Sequence, residues 1–169
     1  MPDASPPPDI QVVRVAAESW PDYREVRLAM LADSPRAFST TYAEVAARTD
    51  EDWQVLAEQL TIWLAYADRG PIGSVAFWAD PQLGQGAGYL VGMWVHPDHR
   101  GCGTAHALAG ALIAHARGEG VHTLVLDVVE TNERAYRFYK RLGFRPTGRS
   151  AALSWDSSIS ESELALDLT

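Results

Sequence analysis

The sequence predicts an α/β fold whose sheet is mixed, mostly antiparallel and flanked by helices. Three observations point there. Two apolar, β-favouring runs, residues 61–67 and 72–78, flank the turn-forming Asp68-Arg69-Gly70-Pro71, as an antiparallel hairpin requires. A third such run over residues 89–95 follows a glycine-rich loop, residues 80–88, and extends the meander. The spacing then changes: residues 103–117 are helical in period, Gly118-Glu119-Gly120 is a stop, and residues 121–128 form an apolar strand. Strand, helix, strand is the parallel crossover unit.

The remaining elements follow the same rules. The β-branched run over residues 10–15 predicts a first strand, and residues 22–31 switch to helical spacing with Tyr23, Val26 and Met30 on one stripe and Leu31 beside it. Ser34-Pro35-Arg36-Ala37-Phe38 breaks that helix, and residues 42–60 read as one or two further amphipathic helices. Residues 131–142 place Ala135, Phe138, Tyr139 and Leu142 on one face, with basic Arg137, Lys140 and Arg141 in the last turns and Gly143 as the stop. Residues 144–147 and 161–168 close the fold as strands. There is no internal repeat. The proline cluster at Pro6 to Pro8 predicts a flexible tail over residues 1–9, leaving residues 10–169 as one domain.

Composition narrows the function. A chain of 169 residues that is 47% hydrophobic can bury one sizeable core. Its net charge of -8 disfavours binding to phosphate backbones, so no nucleic-acid partner is expected. An acidic field suits cationic small molecules or basic peptides instead. The single cysteine, Cys102, excludes an internal disulfide and a cysteine-cluster metal site, and no metal is expected. The N-terminus lacks the basic start and apolar stretch of a secretory signal. Apolar runs such as residues 62–67 fall far short of the roughly 20 residues that cross a bilayer. A soluble, cytoplasmic protein without membrane association is expected.

Between the third meander strand and the long helix lies Val95-His96-Pro97-Asp98-His99-Arg100-Gly101-Cys102-Gly103-Thr104-Ala105. Small residues at Gly101, Gly103 and Ala105 let main-chain amides approach an anion, and the helix that starts there leaves its first N–H groups without partners. That combination is a nest for phosphate, to which Arg100 adds a charge-assisted contact. The loop is not extended to Gly-x-Gly-x-x-Gly and is not followed by Lys-Ser or Lys-Thr, so dinucleotide and nucleoside-triphosphate binding lose ground.

At these residues the sequence resembles the GNAT acetyltransferase superfamily. The acetyl-CoA signature of that family is Gln or Arg, two residues, Gly, one residue, then Gly or Ala. Here it stands as Arg100-Gly101-Cys102-Gly103-Thr104-Ala105, preceded by Val95-His96-Pro97 and followed by Asn132-x-x-Ala135-x-x-Phe138-Tyr139-x-x-Leu142-Gly143-Phe144. The resemblance implies a V-shaped split between the central strands, where residues 92–95 splay from 125–128 and the pantetheine arm of the cofactor lies. It implies acetyl-CoA held by Met93, Trp94, Val95, Arg100, Gly101, Cys102, Gly103, Thr104, Ala105, Asn132, Ala135 and Phe138. It further implies direct transfer of the acetyl group to the primary amine of a small molecule or peptide within a ternary complex, and it allows a homodimer.

The chemistry needs a neutral amine, a polarised carbonyl and a proton for the departing thiolate. Main-chain N–H groups near Met93 to Val95 would polarise the thioester oxygen. Tyr139 lines up with the general acid of the family, a phenol of pKa about 10 able to protonate a thiolate whose thiol lies near 8.5. Asn132 is an N-cap by position and a cofactor contact by resemblance. Cys102 lies where the thioester does not reach, which disfavours a covalent acyl-enzyme. Many relatives carry a glutamate on the strand before the phosphate loop, but Tyr89-Leu90-Val91-Gly92-Met93-Trp94-Val95 holds no carboxylate. Asp127, Glu130, His96 or an ordered water is left as the base. Acceptor specificity falls to residues 20–58 and 80–88, where Trp53, Trp63, Trp78 and Trp94 are mostly expected in the core. A non-catalytic acyl-CoA sensor is the alternative to an enzyme, and a cofactor-free interaction module is a second rival.

Overall fold

The computed structural model describes residues 9–169, so the tail expected over residues 1–9 lies, apart from Asp9, outside the described residues. The chain runs through β1 (Gln11–Arg14), α1 (Trp20–Asp33), α2 (Tyr42–Ala46), α3 (Asp50–Gln59), β2 (Thr61–Ala67), β3 (Gly70–Trp78), β4 (Ala87–Val95), α4 (Thr104–Gly118), β5 (Thr123–Val129), α5 (Glu133–Arg141), β6 (Arg145–Ala152) and β7 (Ser160–Asp167). The seven strands form one sheet in the order β1-β2-β3-β4-β5-β7-β6, and only β4 and β5 pair in parallel.

Alternation along the central strands divides the core into two layers. Trp63, Ala65, Val75 and Phe77 face α4 and pack with Leu108, Leu112 and Ala116. Their neighbours Ile62, Leu64 and Ala76 point the other way, against Tyr23, Val26, Met30 and Trp53 of α1 and α3. A strand with period 2 that is buried on both faces reads as a continuous apolar run, which is why β2 and β3 were legible. Trp53, Trp63 and Trp94 are core residues as expected, whereas Trp78 stays 40% exposed.

The segment 42–60 resolves into two helices, each opened by a capping box. The Thr41 hydroxyl accepts from Glu44 N–H while the Glu44 carboxylate accepts from Thr41 N–H, and Thr49 and Asp52 repeat the arrangement. Both boxes can be read in the sequence as Thr-x-x-acid. The sixth strand departs most from expectation: it runs to Ala152, and every residue of it is exposed. With neither face buried, Arg-Pro-Thr-Gly-Arg-Ser-Ala-Ala carries no hydrophobic period to betray it. β7 inserts between it and β5, leaving β6 at the edge.

Candidate active site

The sheet opens where β4 meets β5. Their pairing covers Ala87↔Thr123, Gly88↔Leu124 and Tyr89↔Val125 and then ceases, although both strands continue. A local cause lies in β4. Across β3, Ala76 faces Val91 while Ser74 faces Trp94, so Gly92 and Met93 together stand opposite Val75. Two residues against one make a β-bulge, which bends its strand and turns it from its neighbour. Gly92 takes the left-handed φ of +61° that the bulge needs. The wholly buried Ser74 fixes it by donating its hydroxyl to Gly92 O at 2.9 Å. Gly92→Ala is expected to cost about 1–2 kcal/mol in chemical denaturation, because an L-residue resists this conformation. The same variant is expected to lower turnover, since the bulge sets the direction of the amides beside the cleft.

Beside the bulge, a cleft of about 490 Å³ lies between the end of β4, the start of α4 and α5. Met93, Trp94, Val95, Arg100, Gly101, Gly103, Thr104, Ala105, Asn132, Ala135, Phe138 and Tyr139 all line it. Cys102 does not: its thiol donates to His99 O. Gly101 and Gly103 have φ of +78° and +89°, and a Cβ on either would meet nothing within 4 Å, so backbone conformation and not crowding demands glycine there. Among the described residues, no hydrogen bond engages the N–H groups of Gly103, Thr104, Ala105 or His106. They stand as the orphan donors of a helix that bears positive partial charge at this end.

Arg100 is placed differently from a simple phosphate ligand. Its Nε donates to Val95 O at 2.8 Å and its Nη2 to Asp33 at 2.6 Å. Asp33, at the end of α1, also accepts from Trp94 Nε1 and from the Ser34 hydroxyl. Burial works to raise its carboxyl pKa, but these donors outweigh that and hold it below the usual carboxylate range. The guanidinium thus ties the loop before α4 to α1. Free cationic side chains come instead from α5, whose Arg134 and Arg141 line the cleft, are exposed, and have no acidic partner among the described residues. With Phe138 they follow helical i, i+4, i+7 spacing, so the face was present in the sequence though its role was not.

Asn132 caps α5, its Oδ1 accepting from Ala135 N–H at 3.2 Å, and it also lines the cleft. Two turns further along α5, Tyr139 packs edge-on against Phe138 and Phe144, at 5.3 and 5.7 Å between ring centroids. The residue is 7% exposed, and its hydroxyl has no hydrogen-bond partner among the described residues. Burial pushes its phenol well above the ordinary value, so it holds its proton throughout the working pH range.

Tyr139 also reaches a second cavity of about 180 Å³, lined by both β4 and β5 where the two strands part. There Asp127 and Glu161 are the lining carboxylates. Asp127 is an exposed residue of its strand, yet partial burial of its carboxyl, then the like charge of Glu163, pushes it above its usual range, and burial followed by Asp127 does the same to Glu161. Glu130 is exposed and bonded to the Ser162 hydroxyl, while His96 caps the turn after β4 through Nδ1. Neither lines the cavity. Phe38, in the loop after α1, contributes to both cavities, and its carbonyl accepts from Trp155 Nε1 at 3.0 Å. Among the described residues there is no group of three side chains able to hold a metal ion, and no helix is long and apolar enough to cross a membrane.

Comparison with known proteins agrees with this geometry. The profile of the Acetyltransferase (GNAT) family matches residues 20–144. N-acetyltransferase 8B of Homo sapiens is 31% identical over 123 residues, 69% of this chain and 54% of that protein. Mycothiol acetyltransferase of Cellulomonas flavigena is 30% identical over 151 residues, 83% of this chain and 42% of its own. This chain therefore spans about half the length of those curated relatives. Among solved structures, the yncA protein of Salmonella typhimurium, determined with its cofactor acetyl-CoA, superposes with a TM-score of 0.78 at 16% identity, over 95% of each chain.

Proposed function

The chain belongs to the Acetyltransferase (GNAT) family, and from that premise we propose that it moves an acetyl group from acetyl-CoA directly to the primary amine of a small molecule or peptide. One observation carries the reading: a buried phenol without a partner stands where two cavities meet, one lined by helix-end amides and the other by carboxylates. The cleft fits the cofactor chemically. Unpaired N–H groups at the start of α4 suit a pyrophosphate, and Arg134 and Arg141 supply cations for further phosphate charge.

Acetyl-CoA, when bound, supplies a thioester whose carbonyl carbon is open to attack. The bulge at Gly92 and Met93 directs main-chain donors toward the oxygen of that group. Asp127 takes one proton from the acceptor ammonium and passes it to solvent, leaving the nitrogen lone pair to form the new C–N bond. Tyr139 gives its proton to the sulfur as the C–S bond breaks. The second amine proton restores the phenol through water, so one proton is released per turnover. Asp127 is preferred to Glu130 and His96 because it alone of the three lines the cavity that Tyr139 enters.

Two measurements test the reading. Acetyl-CoA at about 100 times its Kd should stabilise the protein by about 2.7 kcal/mol in a thermal shift. Replacing Arg134 and Arg141 together by Ala should weaken that binding about tenfold or more, from the loss of charge-assisted contacts. Release of free CoA thiol across a panel of amines then separates an enzyme from a sensor, and an absence of acetyl-CoA binding overturns the proposal.

A further inference from the structure

The acceptor cavity carries opposite charge on its two arms. On the β4 arm, Arg27 Nη1 lies 3.6 Å from where a Cβ would stand on Gly92. On the β5 and β7 arm stand Asp127 and Glu161. All of these residues line the same space, together with Tyr139.

Arg27 is a half-buried guanidinium whose partners are all uncharged. Nη2 donates to the Thr40 hydroxyl at 2.8 Å, Nη1 to Met30 Sδ at 3.0 Å, and the group lies 5.7 Å from the Phe38 ring centroid. No carboxylate comes within ion-pair distance of it among the described residues. The nearby cation is Arg48, whose pKa is lowered by burial and then by Arg27, against the opposing pull of Tyr23, Asp52 and Glu44. A cation withdrawn from water without an anionic partner is costly, and structural arginines in such positions are normally paired. Two donors are in use, so this planar group of five N–H donors keeps others for a ligand.

Across the cavity the imbalance is reversed. Asp127 and Glu161 repel each other, with Glu163 adjoining, and no cation pairs with any of them among the described residues. Tyr139, whose hydroxyl has no partner among the described residues, lines the same space.

Building on the acetyltransferase reading, we infer that the acceptor is a dipolar amine: a small molecule of the amino-acid type, whose carboxylate is held by Arg27 and whose ammonium is held by Asp127 and Glu161. Each half of such a molecule neutralises one arm. A diamine satisfies the carboxylates but brings a second cation toward Arg27, and a simple monoamine leaves the guanidinium without a counter-charge.

The test uses the full chain, saturating acetyl-CoA and thiol release as the readout. The acceptors are matched sets of free amino acids, the corresponding amino-acid amides, the decarboxylated amines and α,ω-diamines. The expected result is a kcat/KM for free amino acids at least tenfold above that for the amides and amines. Arg27→Gln should erase this preference mainly by raising KM, and Arg27→Lys should restore part of it. Equal use of amino acids and their amides, or a preference for diamines, overturns the inference, as does a preference unchanged in Arg27→Gln. Should that variant fail to fold, the wild-type ranking alone decides. Calorimetric binding of acetyl-CoA is measured beside it: binding with no release from any acceptor sinks this inference and leaves the cofactor site standing, whereas no binding sinks the acetyltransferase reading itself.

Discussion

Replacing Tyr139 by Phe lowers turnover by about 10²- to 10⁴-fold, the span that a positioned general acid contributes. Acetyl-CoA affinity and stability stay near wild-type values. The physical ground is specific to this residue. Its ring contacts with Phe138 and Phe144 survive the substitution, and its hydroxyl has no partner to lose. Removing a hydroxyl that bonds to nothing else in the protein costs the fold little. Steady-state kinetics, calorimetry with acetyl-CoA and thermal denaturation check the three parts of this expectation. If turnover is unchanged, Tyr139 plays no part in proton transfer; if activity falls along with stability, the phenol is structural.

The second large effect belongs to Asp127→Asn, expected to lower turnover at neutral pH by about 10²-fold or more through loss of the base. In the wild type, kcat/KM is expected to rise with pH as Asp127 gives up its proton. Burial and Glu163 place that limb above the ordinary carboxylate range near 4. The consequence for stability has the opposite sign. A carboxyl whose pKa is raised by folding binds its proton more tightly in the native state, so its stabilising contribution is present in acid and is lost as pH rises through the raised value. The Asn variant escapes that loss and is at least as stable as wild type at pH 7. Kinetic pH profiles and denaturation at two pH values separate this from a folding defect, in which activity and stability would fall together.

Legibility from sequence tracked burial. β2, β3 and β5 are buried runs, and helices α1 and α4 keep one apolar stripe, so periodicity alone located them. β6 escaped because nothing in it packs. In the larger cleft, Gly101 and Gly103 stood out in the sequence, and the structure gives both the positive φ that only glycine accepts readily. Gly92 could have been read in the same way, since a glycine inside a strand pattern commonly marks a bulge. Asp33 and Arg27 could not. What gives Asp33 its role is contact with Trp94 and Arg100, far away along the chain, and what distinguishes Arg27 is the lack of any acidic neighbour in space. Neither leaves a trace in local spacing. The missing carboxylate of the β4 strand, by contrast, is visible in the sequence, which leaves Asp127, Glu130, His96 and an ordered water as candidates for the base.

The bond from Trp155 to Phe38 O ties the loop that lines both cavities to a residue 117 positions away, and bringing such distant segments together costs entropy that grows with the logarithm of their separation. A ribosome making this chain completes α1, the meander, α4 and α5 before it reaches the indole. A nascent chain lacking Trp155 retains the contacts of Arg27 with Phe38 and Thr40 but not this tie. The last fastening of the loop over both cavities is therefore a late event in biogenesis.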